Sequence, residues 1–220
     1  MQTRRNRLNL LPYGVVAFGA TARGGANGNR GMHWERTMDI EEITDGVLKE
    51  VSAVVSEIDP AQATALIDEI LAAKRVFVFG EGRSGLVARA FAMRVMQLGL
   101  EAHVVGETTT PAIGSGDLFV AVSGSGLTPS TVLFSENAKG AGGTVAAVVS
   151  SAQTKLGSLA DILVVIPGKA KTGVGMDSSQ MPGSLFEQAT FMFFDAAVAM
   201  LVQKRGESYQ GMANRHTNLQ

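Results

Sequence analysis

Val76-Phe77-Val78-Phe79-Gly80-Glu81-Gly82-Arg83-Ser84-Gly85 and Leu118-Phe119-Val120-Ala121-Val122-Ser123-Gly124-Ser125-Gly126-Leu127-Thr128 decide the fold class of this chain. Each begins with a short unbroken apolar run, as in a strand covered on both faces, and passes through glycine and hydroxyl residues into a segment of helical character. The N–H groups that open a helix have no intrahelical partner and lie at the positive end of its dipole, so such a junction attracts anions. Glycine lets the backbone approach closely, and Ser123, Ser125 and Thr128 add hydroxyl donors. A phosphate ester suits that donor set. The first loop also spells G-x-G-x-x-G at Gly80, Gly82 and Gly85, with Glu107 about twenty residues further on, as in sites that seat a pyrophosphate and a ribose. The first loop fits either ligand; the second, hydroxyl-rich loop favours a phosphorylated small molecule over a dinucleotide.

Outward from these loops, strand and helix alternate. Strands are predicted at Val76 to Phe79, Ala102 to Val105, Leu118 to Val122, Thr144 to Val149 and Ile162 to Ile166. Helices are predicted at Ser84 to Leu98, Thr128 to Lys139, Lys155 to Ala160 and Ser184 to Lys204, while Thr108 to Gly116 lacks a helical pattern. This predicts an α/β protein: a single doubly wound, flavodoxin-like five-stranded parallel sheet with flanking helices. In that order the first and third strands are neighbours, so both loops meet at the switch point where ligands bind. Two helices precede the sheet. One runs from Asp39 to Ile58 with apolar residues at helical spacing, and the other follows Asp59-Pro60, with Asp59 as N-cap and Pro60 at the first helical position.

Composition narrows the function classes. With 19 Lys plus Arg against 20 Asp plus Glu in 220 residues, no basic field draws in nucleic acid or an anionic membrane, so neither is expected as a partner. The chain has 0 cysteines, which removes disulfides, thiolate metal sites and a cysteine nucleophile and agrees with a cytoplasmic protein. No clustered His, Asp and Glu offers metal-ligand spacing, so a metal-free site is expected. No run reaches the ~18 uninterrupted apolar residues of a membrane span; Phe191 to Val202 comes nearest and Asp195 interrupts it. Residues 1–37 imitate a secretory signal with Arg4, Arg5 and Arg7 ahead of an apolar stretch, but Pro12, Gly14 and Gly19 break that stretch. They are expected to be a non-native or disordered leader, and 38–220 the folded domain.

The two loops, together with Val105-Gly106-Glu107-Thr108, Pro182-Gly183-Ser184-Leu185-Phe186-Glu187 and the closing Asn214-Arg215-His216-Thr217-Asn218-Leu219, resemble the sugar isomerase (SIS) domain family. More narrowly, they resemble its 6-phospho-3-hexuloisomerases. The similarity runs from Met38 to Gln220. It implies interconversion of D-arabino-hex-3-ulose 6-phosphate and fructose 6-phosphate, in the ribulose monophosphate route of formaldehyde fixation, without a cofactor. It implies phosphate binding by Ser84, Ser123, Ser125 and Thr128, a carboxylate base at Glu187, and a histidine, His216, contributed by a neighbouring subunit. Leu127 stands where many relatives carry a polar residue.

Each of these residues has a plainer alternative. Glu187 also fits a capping box with Ser184, and His216 also fits a solvated tail. Arg83 either balances substrate charge or makes a surface salt bridge. Glu107 either contacts sugar hydroxyls or orients Arg83, and Gly82 and Gly124 are expected at the substrate through their backbones. His103, inside a strand, reads as structural. A homo-oligomer, a tetramer built from dimers with shared sites, is expected from the apolar faces of the leading helices and the tail that carries His216. Competing functions are a sugar-phosphate sensor, for which no helix-turn-helix pattern precedes Asp39, and an isomerase of another phosphosugar such as arabinose 5-phosphate.

Overall fold

The apolar runs form five strands, β1 (Val76–Gly80), β2 (Ala102–Val104), β3 (Leu118–Val122), β4 (Thr144–Val149) and β5 (Ile162–Val165). The computed structural model describes residues 39–168 and 178–219, so the leader expected at 1–37 lies outside the described residues. All pairings are parallel, and the order β2-β1-β3-β4-β5 is the flavodoxin-like one. Register sets Val76 opposite Leu118 and Gly80 opposite Val122, which brings the two loops side by side at the carboxyl edge.

The period of two along each strand divides the core. Val76, Val78, Leu118, Val120, Val122, Ala146 and Val148 face one hydrophobic cluster; Phe77, Phe119, Ala121, Val145, Ala147 and Val149 face the other. The first cluster is covered by α1 (Ile40–Ser56), α2 (Pro60–Ala72), α3 (Gly82–Gln97) and α6 (Ser184–Arg205). The second lies under α4 (Pro129–Gly140) and α5 (Lys155–Leu159). Both faces of the sheet are dry, which is why the strands are continuous apolar runs rather than alternating ones. Phe91 on α3 stacks on Phe194 on α6 with centroids 4.1 Å apart, and burial of two such rings, each worth about 1.5–3 kcal/mol, fastens α6 beside the first loop.

Local chemistry accounts for the helix starts. Asp59 accepts the Ala61 N–H at 2.8 Å with Pro60 at the first position of α2, as its sequence predicts, and Asp39 caps α1 through the Glu42 N–H at 2.9 Å. Several boundaries differ from expectation by a residue or two, and one element was not expected. Helix α3 begins at Gly82 rather than Ser84, with Gly82 at φ 57° turning the chain out of the strand. The closing tail, expected to be irregular, contains α7 (Tyr209–Asn214), capped by Ser208 and held to the core by Met212. Helix α6 is long and apolar enough to cross a membrane by length and composition alone, but 56% of its most apolar window is buried inside the protein, as in a core helix.

Candidate active site

The carboxyl ends of β1 and β3 and the N-terminus of α6 enclose a cavity of about 410 Å³. From the first loop come Gly82, Arg83 and Ser84; from the second, Ser123, Gly124, Ser125 and Thr128; from α6, Glu187. Eight of the ten residues expected at the site thus meet in one place.

Glycine makes the first loop possible. A Cβ on Gly85 would lie 2.3 Å from the Gly80 carbonyl oxygen, and one on Gly80 would lie 2.8 Å from that of Val122. Those two glycines therefore let α3 and β3 press against the end of β1, and they do not themselves line the cavity. In the second loop Gly126, at φ 61°, turns the chain back, and a Cβ there would meet the Thr154 hydroxyl at 2.3 Å. Gly126 also accepts the Leu156 N–H at 3.0 Å, while the Ser150 hydroxyl donates to the Gly124 carbonyl at 2.6 Å. Carbonyls of this loop are thus tied back into the protein. Its N–H groups at Gly124, Ser125 and Thr128 make no hydrogen bond within the described residues.

The hydroxyls are graded in commitment. Ser123 is buried and shares a hydrogen bond with Thr128 at 3.0 Å. Ser125 accepts the Leu127 N–H at 3.3 Å and keeps its own proton to donate. The Ser84 hydroxyl has no partner among the described residues. Together with the first N–H groups of α3 and α4, this is a cradle of donors open to an anion. Leu127 is exposed and does not line the cavity.

Glu187 sits across the cavity, with 6% of its surface exposed. The capping-box alternative does not hold. Gly183, at φ 92°, is the N-cap of α6, so Ser184 is already helical and Glu187 lies one position too far along to reach back. Its Oε2 instead accepts from the Arg83 Nε, and its Oε1 has no partner among the described residues. Arg83 is the one cation lining the cavity among the described residues. A buried carboxylate held by one cation, with a free oxygen, is a group that can take a proton from a bound molecule.

Two expected residues lie elsewhere. Glu107 pairs with Arg89 at 3.0 Å beside His103, on the outer side of β2, and the expectation that it orients Arg83 is corrected: Arg83 turns to Glu187. His216 borders a separate cavity with Arg94 and Asp195, outside the pocket of its own chain. His103 packs its ring on Phe77 and pairs with Glu101, in keeping with a structural role. Site residues not singled out from the sequence are Phe186, on the cavity wall, and Ser130, whose hydroxyl holds the Glu81 carboxylate at 2.7 Å at the pocket edge. The one sequence signal for Ser130 is its place in the first turn of the helix after the second loop.

Residues 69–200, which carry both loops and Glu187, match the family model for the SIS domain. The chain belongs to the SIS domain family. This SIS domain is 43% identical over 183 residues to a 3-hexulose-6-phosphate isomerase of Mycobacterium gastri, covering 83% of this chain and 92% of that one. It is 37% identical to the 3-hexulose-6-phosphate isomerase of Bacillus subtilis, covering 83% of this chain and all of the other. Among solved structures, it superposes with a TM-score of 0.71 and 31% identity on a Methanococcus jannaschii protein whose structure infers a molecular function of 3-hexulose-6-phosphate isomerase, covering 81% and 99% of the two chains.

Proposed function

We propose that this protein is a phosphosugar isomerase that interconverts D-arabino-hex-3-ulose 6-phosphate and fructose 6-phosphate. The observation that carries this is the division of one cavity into a donor cradle of Ser84, Ser125 and Thr128 on one side and a single buried carboxylate, Glu187, on the other. The cradle holds the phosphate and so fixes where the sugar carbons lie. Glu187 Oε1 removes the proton from C2 of the 3-ketose, giving a cis-enediol, and returns it at C3, while a proton passes from O2 to O3. Carbonyl and hydroxyl exchange places, and no electrons leave the sugar. Arg83 keeps the base oriented and lies where negative charge builds on the enediol oxygens. Relatives named for this reaction, at 33% to 43% identity, support the substrate, and the reaction is a step of the ribulose monophosphate route.

The same reading extends to assembly. Ile40, Ile43 and Leu48 on α1, and Met93, Phe191 and Met192 on α3 and α6, are large apolar side chains exposed in the single chain. A homo-oligomer, a tetramer built from dimers, would cover such faces and carry His216 to a neighbour's pocket, where its imidazole can relay the proton between O2 and O3. The balanced charge and absence of cysteine are consistent with a cytoplasmic enzyme. The test is an assay in which the 3-hexulose phosphate is generated in place and fructose 6-phosphate is measured. Turnover supports the proposal; turnover of arabinose 5-phosphate with none of the hexulose would replace it.

A further inference from the structure

The position of Glu187 depends on how the chain enters α6, and that entry is fastened from outside the pocket. Glu50, on α1, accepts hydrogen bonds from three consecutive residues: the Ser178 hydroxyl at 2.7 Å, the Ser179 N–H at 2.9 Å, the Ser179 hydroxyl at 2.5 Å and the Gln180 side-chain amide at 3.0 Å. Oε2 serves Ser178 and Gln180, Oε1 serves Ser179 twice, and the acceptor capacity of the carboxylate is filled. Burial pushes the Glu50 carboxyl upward, but the bonds from Ser178, Ser179 and Gln180 outweigh it and the net displacement is downward. The group is therefore ionised at neutral pH, and hydrogen bonds to an ionised acceptor are the strong ones.

Only Met181 and Pro182 separate the clamped residues from Gly183, whose φ of 92° turns the chain into α6. The Ser184 N–H closes that turn on the Met181 carbonyl at 3.0 Å. From the other side Gly168 touches the same helical turn so closely that a Cβ there would lie 2.9 Å from Phe186 Cα. The first turn of α6 thus packs on the Gly168 backbone, and the segment that leads into it is held by the Glu50 clamp. Glu50 itself does not line the cavity.

We infer that Glu50 is a positioning residue for the isomerase: by clamping Ser178, Ser179 and Gln180 it sets the entry of α6 and so the placement of Glu187 against the sugar. This rests on the isomerase reading above. It separates two quantities that a general loss of structure would lower together, because the phosphate cradle is built on β1 and β3, away from the clamp. Glu50→Gln keeps the shape but turns an NH₂ group toward donors. Turnover should fall roughly ten- to a hundredfold, the scale of an ångström of misplacement, while calorimetric affinity for fructose 6-phosphate stays at the natural value.

The experiment measures turnover, fructose 6-phosphate affinity and amide hydrogen exchange on the full chain. Faster exchange at Ser179 and at Leu185 to Glu187, with reduced turnover and unchanged affinity, is the expected result. Natural turnover, or turnover and affinity lost in parallel, overturns the inference. If Glu50→Gln does not fold, the double variant Ser178→Ala/Ser179→Ala removes two donors from the other side and must give the same split. A natural protein that does not turn over the hexulose overturns the isomerase reading instead, and the exchange rates alone then decide whether Glu50 sets the α6 entry.

Discussion

Gly85→Ala tests how the first loop is built and what the glycine fingerprint is for. An added Cβ would lie 2.3 Å from the Gly80 carbonyl oxygen and 3.0 Å from its carbonyl carbon, where ordinary contact begins at 3.4 Å. Both atoms belong to β1, which is locked between β2 and β3, so α3 must lift by about an ångström. Overpacking of this kind costs about 1–3 kcal/mol, which in a domain of this size lowers Tm by roughly 2–12 °C. The displaced turn carries Arg83 and Ser84, so turnover should fall about a hundredfold and fructose 6-phosphate should bind more weakly. Scanning calorimetry with titration of the sugar phosphate reads both effects. Gly46→Ala is the control. It lies within α1 with nothing within 4 Å of the new Cβ, and it should gain about 0.5–1 kcal/mol. Natural Tm and affinity in Gly85→Ala would refute the close-approach argument.

Three further outcomes follow from the site and the core. Ser125→Ala removes a hydroxyl that contributes ~1.5–3 kcal/mol toward a charged phosphate, so fructose 6-phosphate affinity should drop roughly ten- to a hundredfold; unchanged affinity would take Ser125 out of the cradle. The hydrogen bond from Arg75 holds the buried Asp117 carboxyl below its ordinary value against the opposing effect of burial, with help from the Gly114 N–H. A depressed carboxylate stabilises above its unfolded pKa and loses that contribution as pH falls through the folded value, so Asp117→Asn should be less stable at neutral pH and show a shallower stability loss below about pH 4. An unaltered acid-unfolding profile would count against the pair. Mixing Glu187→Gln with His216→Ala subunits should restore some activity if His216 serves a neighbour's pocket, and no recovery after confirmed subunit exchange would count against shared sites.

Strands β3 and β4 were legible to the residue because a strand covered on both faces is apolar throughout and ends where glycine or a hydroxyl takes over. The switch point followed from strand order, and the seven loop residues that line the cavity followed from it because loops at adjacent carboxyl ends must converge; Glu187, on α6, rested on the resemblance. Helix α7 was not legible: it has one buried anchor, Met212, and hence no period to detect, with Ser208 as its sole local signal. The Ser184 to Glu187 spacing pointed to a capping box, but Gly183 can take a left-handed conformation and moves the cap back by one. Partner choice among charged residues was the least readable part. Arg83 lies 104 positions from Glu187, and Glu107 pairs with Arg89 across α3 and the end of β2; such pairings depend on how helices lie on the sheet, not on local sequence.

The central claim is that Glu187 lifts and returns the carbon-bound proton. It is tested most directly by isomerisation in deuterium oxide with the natural protein and with Glu187→Gln. General-base catalysis contributes ~100- to 10,000-fold, so the variant should lose at least about a hundredfold in turnover while still binding fructose 6-phosphate through the cradle. Deuterium should enter C3 of fructose 6-phosphate, or C2 of the 3-hexulose phosphate, with the natural protein and not with the variant. Near-natural turnover and deuterium uptake in Glu187→Gln would contradict the account and leave Glu187 as the partner that holds Arg83.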